Sequence, residues 1–197
     1  MTRTLSLLAL LAVVGCETPE PPAPNLSLIG SDLCAGRGKP HPNAAEPSAE
    51  GPNTVRFHMK RQTRVWEHMP GYFPHQVATS VEDTAYVACA KQDRTVVESC
   101  EYDMGVLDRV KTNTVVKVYA LKTQEKVAEV VVEGGDPPPC AMFGQFEVYG
   151  RNQAELDRAT AEAQENGGLR QAQDGTHPDY EDIYDALAPV IGAPPRA

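Results

Sequence analysis

Thr84–Tyr102, TAYVACAKQDRTVVESCEY, and Asn113–Glu133, NTVVKVYALKTQEKVAEVVVE, are dense in Val, Thr and Tyr, residues that suit a pleated, half-buried surface. In the second stretch Val116, Val118 and Ala120 share one face, as do Ala128, Val130 and Val132. Period two predicts two strands. A hairpin with Thr123-Gln124-Glu125 as a three-residue loop brings the two apolar faces together. Ala120 then sits opposite Ala128, Val118 opposite Val130 and Val116 opposite Val132. A slip of one residue would turn one apolar set to solvent. In the first stretch, TAYVACAK and TVVESCEY flank Gln92-Asp93-Arg94, which predicts a second hairpin.

Outward from this centre, Val55, Phe57 and Met59 alternate with Arg56, His58 and Lys60, predicting a strand within residues 53–66 that ends before a turn at Pro70-Gly71. Phe143, Phe146, Val148 and Tyr149 suggest one more short strand. Residues 152–166 are rich in Ala, Glu and Gln and stop at Gly167-Gly168, the pattern of a helix with a glycine end. Residues 167–177 read as polar linker. Residues 178–188 predict a short helix, with Thr176 or His177 near its cap and Tyr180, Ile183, Tyr184 and Leu187 at helical spacing. Residues 25–52, rich in Gly, Pro, Asn and Ser, read as loop. The expected fold is mainly β: a small antiparallel sheet or sandwich, stapled by disulfides, with a short α-helical C-terminal extension. Residues 53–150 form the β domain and 151–197 a helical or flexible segment. If that segment is a docking arm, loss of 167–197 leaves the core folded.

The N-terminus carries a different message. Arg3 precedes an apolar run, Leu5–Val14, too short to span a bilayer core that needs roughly 20 helical residues. A basic start and a short apolar stretch are the layout of a secretory signal. Val13-Val14-Gly15-Cys16 resembles the lipobox of bacterial lipoproteins. The resemblance implies a signal peptide over 1–15, cleavage before Cys16, and diacylglyceryl and acyl (palmitate-type) chains on Cys16. Two or more chains give stable anchoring. The alternative is an ordinary secretory signal cut nearby. Glu17–Pro24, ETPEPPAP, is a Pro-rich tether, extended at roughly 3.1 Å per residue; with residues 25–52 it forms a tether region of 16–52. The expected location is the cell membrane or outer membrane, facing periplasm or cell exterior. Glu17, rather than Asp, beside the anchor points by analogy to the outer membrane.

Five cysteines are present. With Cys16 lipidated, Cys34, Cys89, Cys100 and Cys140 remain. An even number in an exported chain predicts two disulfides. Cys89 and Cys100 would face each other directly only if residues 90–99 formed one long loop, which would waste Val96 and Val97, so that bond is disfavoured. The pairings left are 34–89 with 100–140, which we prefer, and 34–100 with 89–140.

Tyr86-Val87-Ala88-Cys89, Val97–Tyr102, Val116–Gly134 and Pro137-Pro138-Pro139-Cys140 together resemble a cysteine-containing β module of uncharacterised secreted bacterial proteins, over about 60 residues. Its usual Thr-Gly turn is Thr123-Gln124 here. The resemblance implies a compact β module and no particular activity.

Loss of residues 1–15 removes Arg3, so 17 basic against 27 acidic side chains leave −10. That charge disfavours nucleic acid and anionic membrane surfaces as partners. The expected partners are the membrane, through the lipid, and an envelope protein, peptidoglycan or an extracellular ligand. No catalytic set, cofactor or metal is read from the sequence. The five histidines, His41, His58, His68, His75 and His177, lack zinc-helix spacing; the alternative function is an envelope enzyme with an unrecognised site, metal-dependent through His58, His68 or His75. Gly36-Arg37-Gly38-Lys39 lacks the strand–helix context of a phosphate loop. Asp174, Asp179, Glu181, Asp182 and Asp185 lack calcium-loop spacing and read as a solvated helix face. Trp66, Tyr72 and Phe73 form the densest aromatic cluster, a candidate groove wall or core edge.

Overall fold

A computed structural model describes residues 25–49, 51–60, 65–142, 152–165 and 167–194. The signal segment, Cys16, Glu17–Pro24 and the strand expected at 143–149 lie outside the described residues. The fold is mainly β. Helix α1 (Leu26–Cys34) is followed by β1 (Val55–Lys60), β2 (Trp66–His68), a short 3-10 turn (Pro70–Tyr72), β3 (Tyr86–Tyr102), β4 (Gly105–Ala120), β5 (Lys126–Val132), α2 (Gln153–Glu165), β6 (Leu169–Asp174) and α3 (Tyr180–Ile191). The six strands form one sheet in the order β2-β1-β3-β4-β5, with β6 also on β4. It is mixed rather than wholly antiparallel: β1 runs parallel to β3, and β6 parallel to β4.

The hairpin expected within residues 84–102 does not form. Those residues make one 17-residue strand, and Gln92, Asp93 and Arg94 pair with Thr114, Asn113 and Thr112 of β4. The turn lies further on, where Tyr102 pairs with Gly105 and Gly105 takes φ +152°. A side chain at Gly105 would collide with the backbone of Leu169. The misleading signal was polarity. Lys91–Ser99 is exposed throughout, so its charges mark an open stretch of sheet and not a turn.

The β4–β5 hairpin forms in a register shifted by two. Val118 pairs with Ala128, Val116 with Val130 and Thr114 with Val132, and an irregularity separates Val118 from Tyr119. The predicted faces survive because a shift of two preserves parity. The loop is longer than three residues, since Leu121 is pulled out of the strand into the core and is fully buried. Its N–H donates to the carbonyl of Ala85. Gln124 takes φ +63°, a left-handed geometry at the position where the resembling module carries glycine.

Two apolar layers flank the sheet. On one face, α3 sets Ile183, Leu187 and Ile191 against Val55, Phe57, Tyr86, Ala88, Val116 and Val118. On the other, α1 sets Leu26 and Leu33 against Val87, Cys89 and Leu121. The residues expected as loop (25–52) therefore contain a core helix. Leu26, Gly30 and Leu33 make its buried stripe, and the Asn25 side chain caps it by accepting from the N–H groups of Ser27 and Leu28. The tether region read from composition, 16–52, thus includes folded structure from Asn25 onward.

The C-terminal segment is likewise not an appendage. The expected linker contains β6, whose backbone pairs with Gly105–Val110. Helix α3 starts two residues later than expected. Asp179, not Thr176 or His177, is its cap, in a reciprocal capping box with Asp182. It runs through Pro189 to a left-handed Gly192. Helix α2 forms where predicted. The disulfides are Cys34–Cys89 and Cys100–Cys140, the preferred pairing. The first clamps α1 to β3; the second ties the segment after β5 to the far half of β3.

Candidate functional site

The register places side chains on the α1 face in rows. Trp66 of β2, Lys60 of β1, Lys91 of β3, Val115 of β4 and Val131 of β5 form one row. His68, His58, Cys89, Lys117 and Glu129 form the next. Arg56, Val87 and Tyr119 form a third. Helix α1 covers the Arg56 end and stops at Cys34, so the first row is left open beside its C-terminus.

A cleft of about 320 Å³ lies at this edge. Its walls are the end of α1 (Leu33–Gly36), the Cys34–Cys89 bridge, Trp66, Tyr119, Lys91 and Lys117. The volume is that of a small-ligand site. Lys60 lies 5.9 Å from the Trp66 ring centre, a cation–π contact at the rim. Lys117 is 4.0 Å from Glu129, which lies closer, at 2.7 Å, to Lys126. A chain of strongly negative charge therefore carries a local cluster of lysine side chains around an aromatic wall.

Beneath α1, two imidazoles meet. His58 is fully buried, and its ring centre lies 5.6 Å from that of His68. A Cβ on Gly30 would lie 2.1 Å from His58 Nε2, so α1 needs glycine there to pass over the ring. Neither ring nitrogen of His58 has a hydrogen-bond partner among the described residues. Burial, then His68, then Arg56 push the His58 pKa down to about 4. Burial and Arg56 push His68 down to about 4. The Arg56 guanidinium donates to Ala78 O and Ser27 Oγ, and burial lowers its own pKa more than Asp83 restores it. The pair is neutral at pH 7 and lies beside a cation, Arg56.

Of the three histidines of the enzyme alternative, His58 and His68 are brought together, while His75 is exposed in the loop after the 3-10 turn. Among the described residues there is no group of three or more His, Cys, Asp or Glu able to hold a metal. The aromatic cluster divides. Tyr72 and Phe73 pack on Phe57 under α3, while Trp66 alone faces the cleft. The acidic run is consumed locally: Asp174 pairs with Arg94 at 2.6 Å, and Asp179 and Asp182 cap α3. Arg37 of the Gly36–Lys39 loop pairs with Asp32. Lys91, Lys117 and Tyr119 were missed in the sequence because they sit on three rows of two strands whose register it does not specify.

Comparison with protein-family models, with curated proteins and with solved structures finds no match to this chain.

Proposed function

We propose that the chain is a lipid-anchored protein of a bacterial envelope, held by Cys16 to the cell membrane or outer membrane, and that its β domain is a binding module. The anchor rests on Val13-Val14-Gly15-Cys16 after a short apolar run. The pairing of the other four cysteines supports an oxidising compartment. Among the described residues no helix is long and apolar enough to cross a membrane, which is compatible with a lipid anchor.

The observation that carries the binding reading is the cleft at the end of α1. The aromatic residues Trp66 and Tyr119 and the lysines Lys91 and Lys117 line one concavity. Such a site suits a small ligand with an anionic group and an apolar body.

Detergent phase partitioning with intact mass tests the anchor, on wild type and Cys16→Ser expressed in a bacterial host. Wild type is expected in the detergent phase with lipid mass on Cys16, and the variant in the aqueous phase or unprocessed. Wild type in the aqueous phase, with Cys16 free or disulfide-bonded, would refute it. Zinc content separates the binding reading from the enzyme alternative: stoichiometric zinc in the purified protein would favour a metal site at His58 and His68.

A further inference from the structure

We propose that the α1 face lies against the membrane that holds the anchor, and that the cleft beside α1 takes the headgroup of an anionic phospholipid. This rests on the Cys16 anchor and names the ligand of the cleft.

The covalent chain sets the first constraint. The described structure begins at the Asn25 cap of α1, and residues 16–24 separate it from the lipidated cysteine. Nine residues span at most about 30 Å, however they are arranged. The domain is therefore held within about its own diameter of the bilayer. Helix α1, the first described element, lies on one face of the sheet, opposite α3. Asn25, where residues 16–24 join the domain, caps the helix on that face.

Surface chemistry sets the second. Leu28 on α1 is 59% exposed and Val65 beside β2 is 57% exposed. The two elements are neighbours, joined by a hydrogen bond from Ser31 Oγ to Trp66 O. Next to them are Trp66, with Lys60 over its ring, and Lys91. Apolar tips, an indole and lysine stems with charged heads are the side chains that settle at a lipid–water boundary. The nearby carboxylates are engaged: Asp32 by Arg37 at 2.9 Å, and Glu129 by Lys126 at 2.7 Å, with Lys117 at 4.0 Å. The net negative charge of the whole chain argued against anionic surfaces, but charge acts locally within a screening length of about 8–10 Å. At this face Lys60, Lys91 and Lys117 stand on neighbouring rows of the sheet. A headgroup phosphate in the cleft would meet Lys91 and Lys117, and its glycerol and upper acyl carbons would meet Trp66.

Trp66 is the only tryptophan, so it reports on this face without labelling. The lipidated full chain is reconstituted on vesicles of phosphatidylcholine, with or without phosphatidylglycerol, containing acyl-brominated lipid as a quencher. Flotation measures anchoring; Trp66 emission measures docking. The expected result is quenching on phosphatidylglycerol vesicles, at least halved on neutral vesicles and in Lys60→Glu/Lys91→Glu, with flotation unchanged. Both lysines are exposed, and the variant should melt like wild type; should it not, Lys91→Glu alone is read in its place. Flotation without quenching would leave the anchor standing and overturn the docking. Equal quenching on neutral vesicles would overturn headgroup recognition. Failure to float would remove the anchor and, with it, the constraint on which the docking depends.

Discussion

Removal of residues 178–197 is expected to abolish cooperative folding. These residues carry α3, whose Ile183, Leu187 and Ile191 are 0% exposed. Burying each such side chain contributes about 1.5–3 kcal/mol. The three together are worth roughly 5–9 kcal/mol, as much as the whole stability of many domains, about 5–15 kcal/mol. The loss is larger than that sum, because the truncation also uncovers Val116, Val118 and Phe57 on the sheet. Tyr184, whose ring stacks on Phe73 at 5.2 Å, goes with it. Urea or thermal unfolding followed by circular dichroism reads the effect. Leu187→Ala, at about 2–5 kcal/mol, should keep a cooperative but earlier transition. A truncated chain that still melts cooperatively near wild type would make α3 a peripheral arm after all.

Acid is expected to destabilise the domain well above the range in which carboxylates titrate. His58 and His68 have folded-state pKa values pushed down to about 4, against about 6.5 in an unfolded chain. The unfolded state therefore binds protons that the folded state refuses. Stability from these groups is complete above pH 6.5 and is lost as pH falls from 6.5 to 4. For buried His58 the shift corresponds to about 3 kcal/mol; His68, partly exposed, adds less, and the two titrate as a coupled pair. The groups beside them are Arg56 and Cys89 on the sheet and Gly30, where α1 crosses the His58 ring. The carboxylate of Asp108, held low by Arg170 and Ser99, loses its proton-free form only below this window. Urea midpoints at pH 7 and pH 4.5 measure the difference. His58→Leu should remove much of the drop while keeping the volume filled. An unchanged drop in that variant would place the acid sensitivity elsewhere.

The acid response was not legible in the sequence. His58 and His68 are ten residues apart with no helical spacing, and only the antiparallel β1–β2 register sets them opposite one another. The cleft was hidden for the same reason, since Trp66, Lys91 and Lys117 come from three strands and meet through pairings of long sequence separation. Helix α1 was hidden by composition. Nine residues with a central glycine look like loop, until the glycine proves to be where the helix crosses His58. Strand β6 carries no β-branched residue and exists because β4 offers it an edge.

What the sequence determined by itself was local: which residues of β1, β4 and β5 share a face, that α2 and α3 are helices, that the chain is mainly β, and that four cysteines suit two bridges. Side-chain periodicity encodes these, and a register shift of two leaves them intact. The tertiary structure alone decided the straight run of β3, the parallel partners, the five-residue excursion around buried Leu121, and the position of α1 on one face with α3 on the other. Each depends on which strand edge or apolar face is available elsewhere in the chain, and no local pattern of residues carries that information.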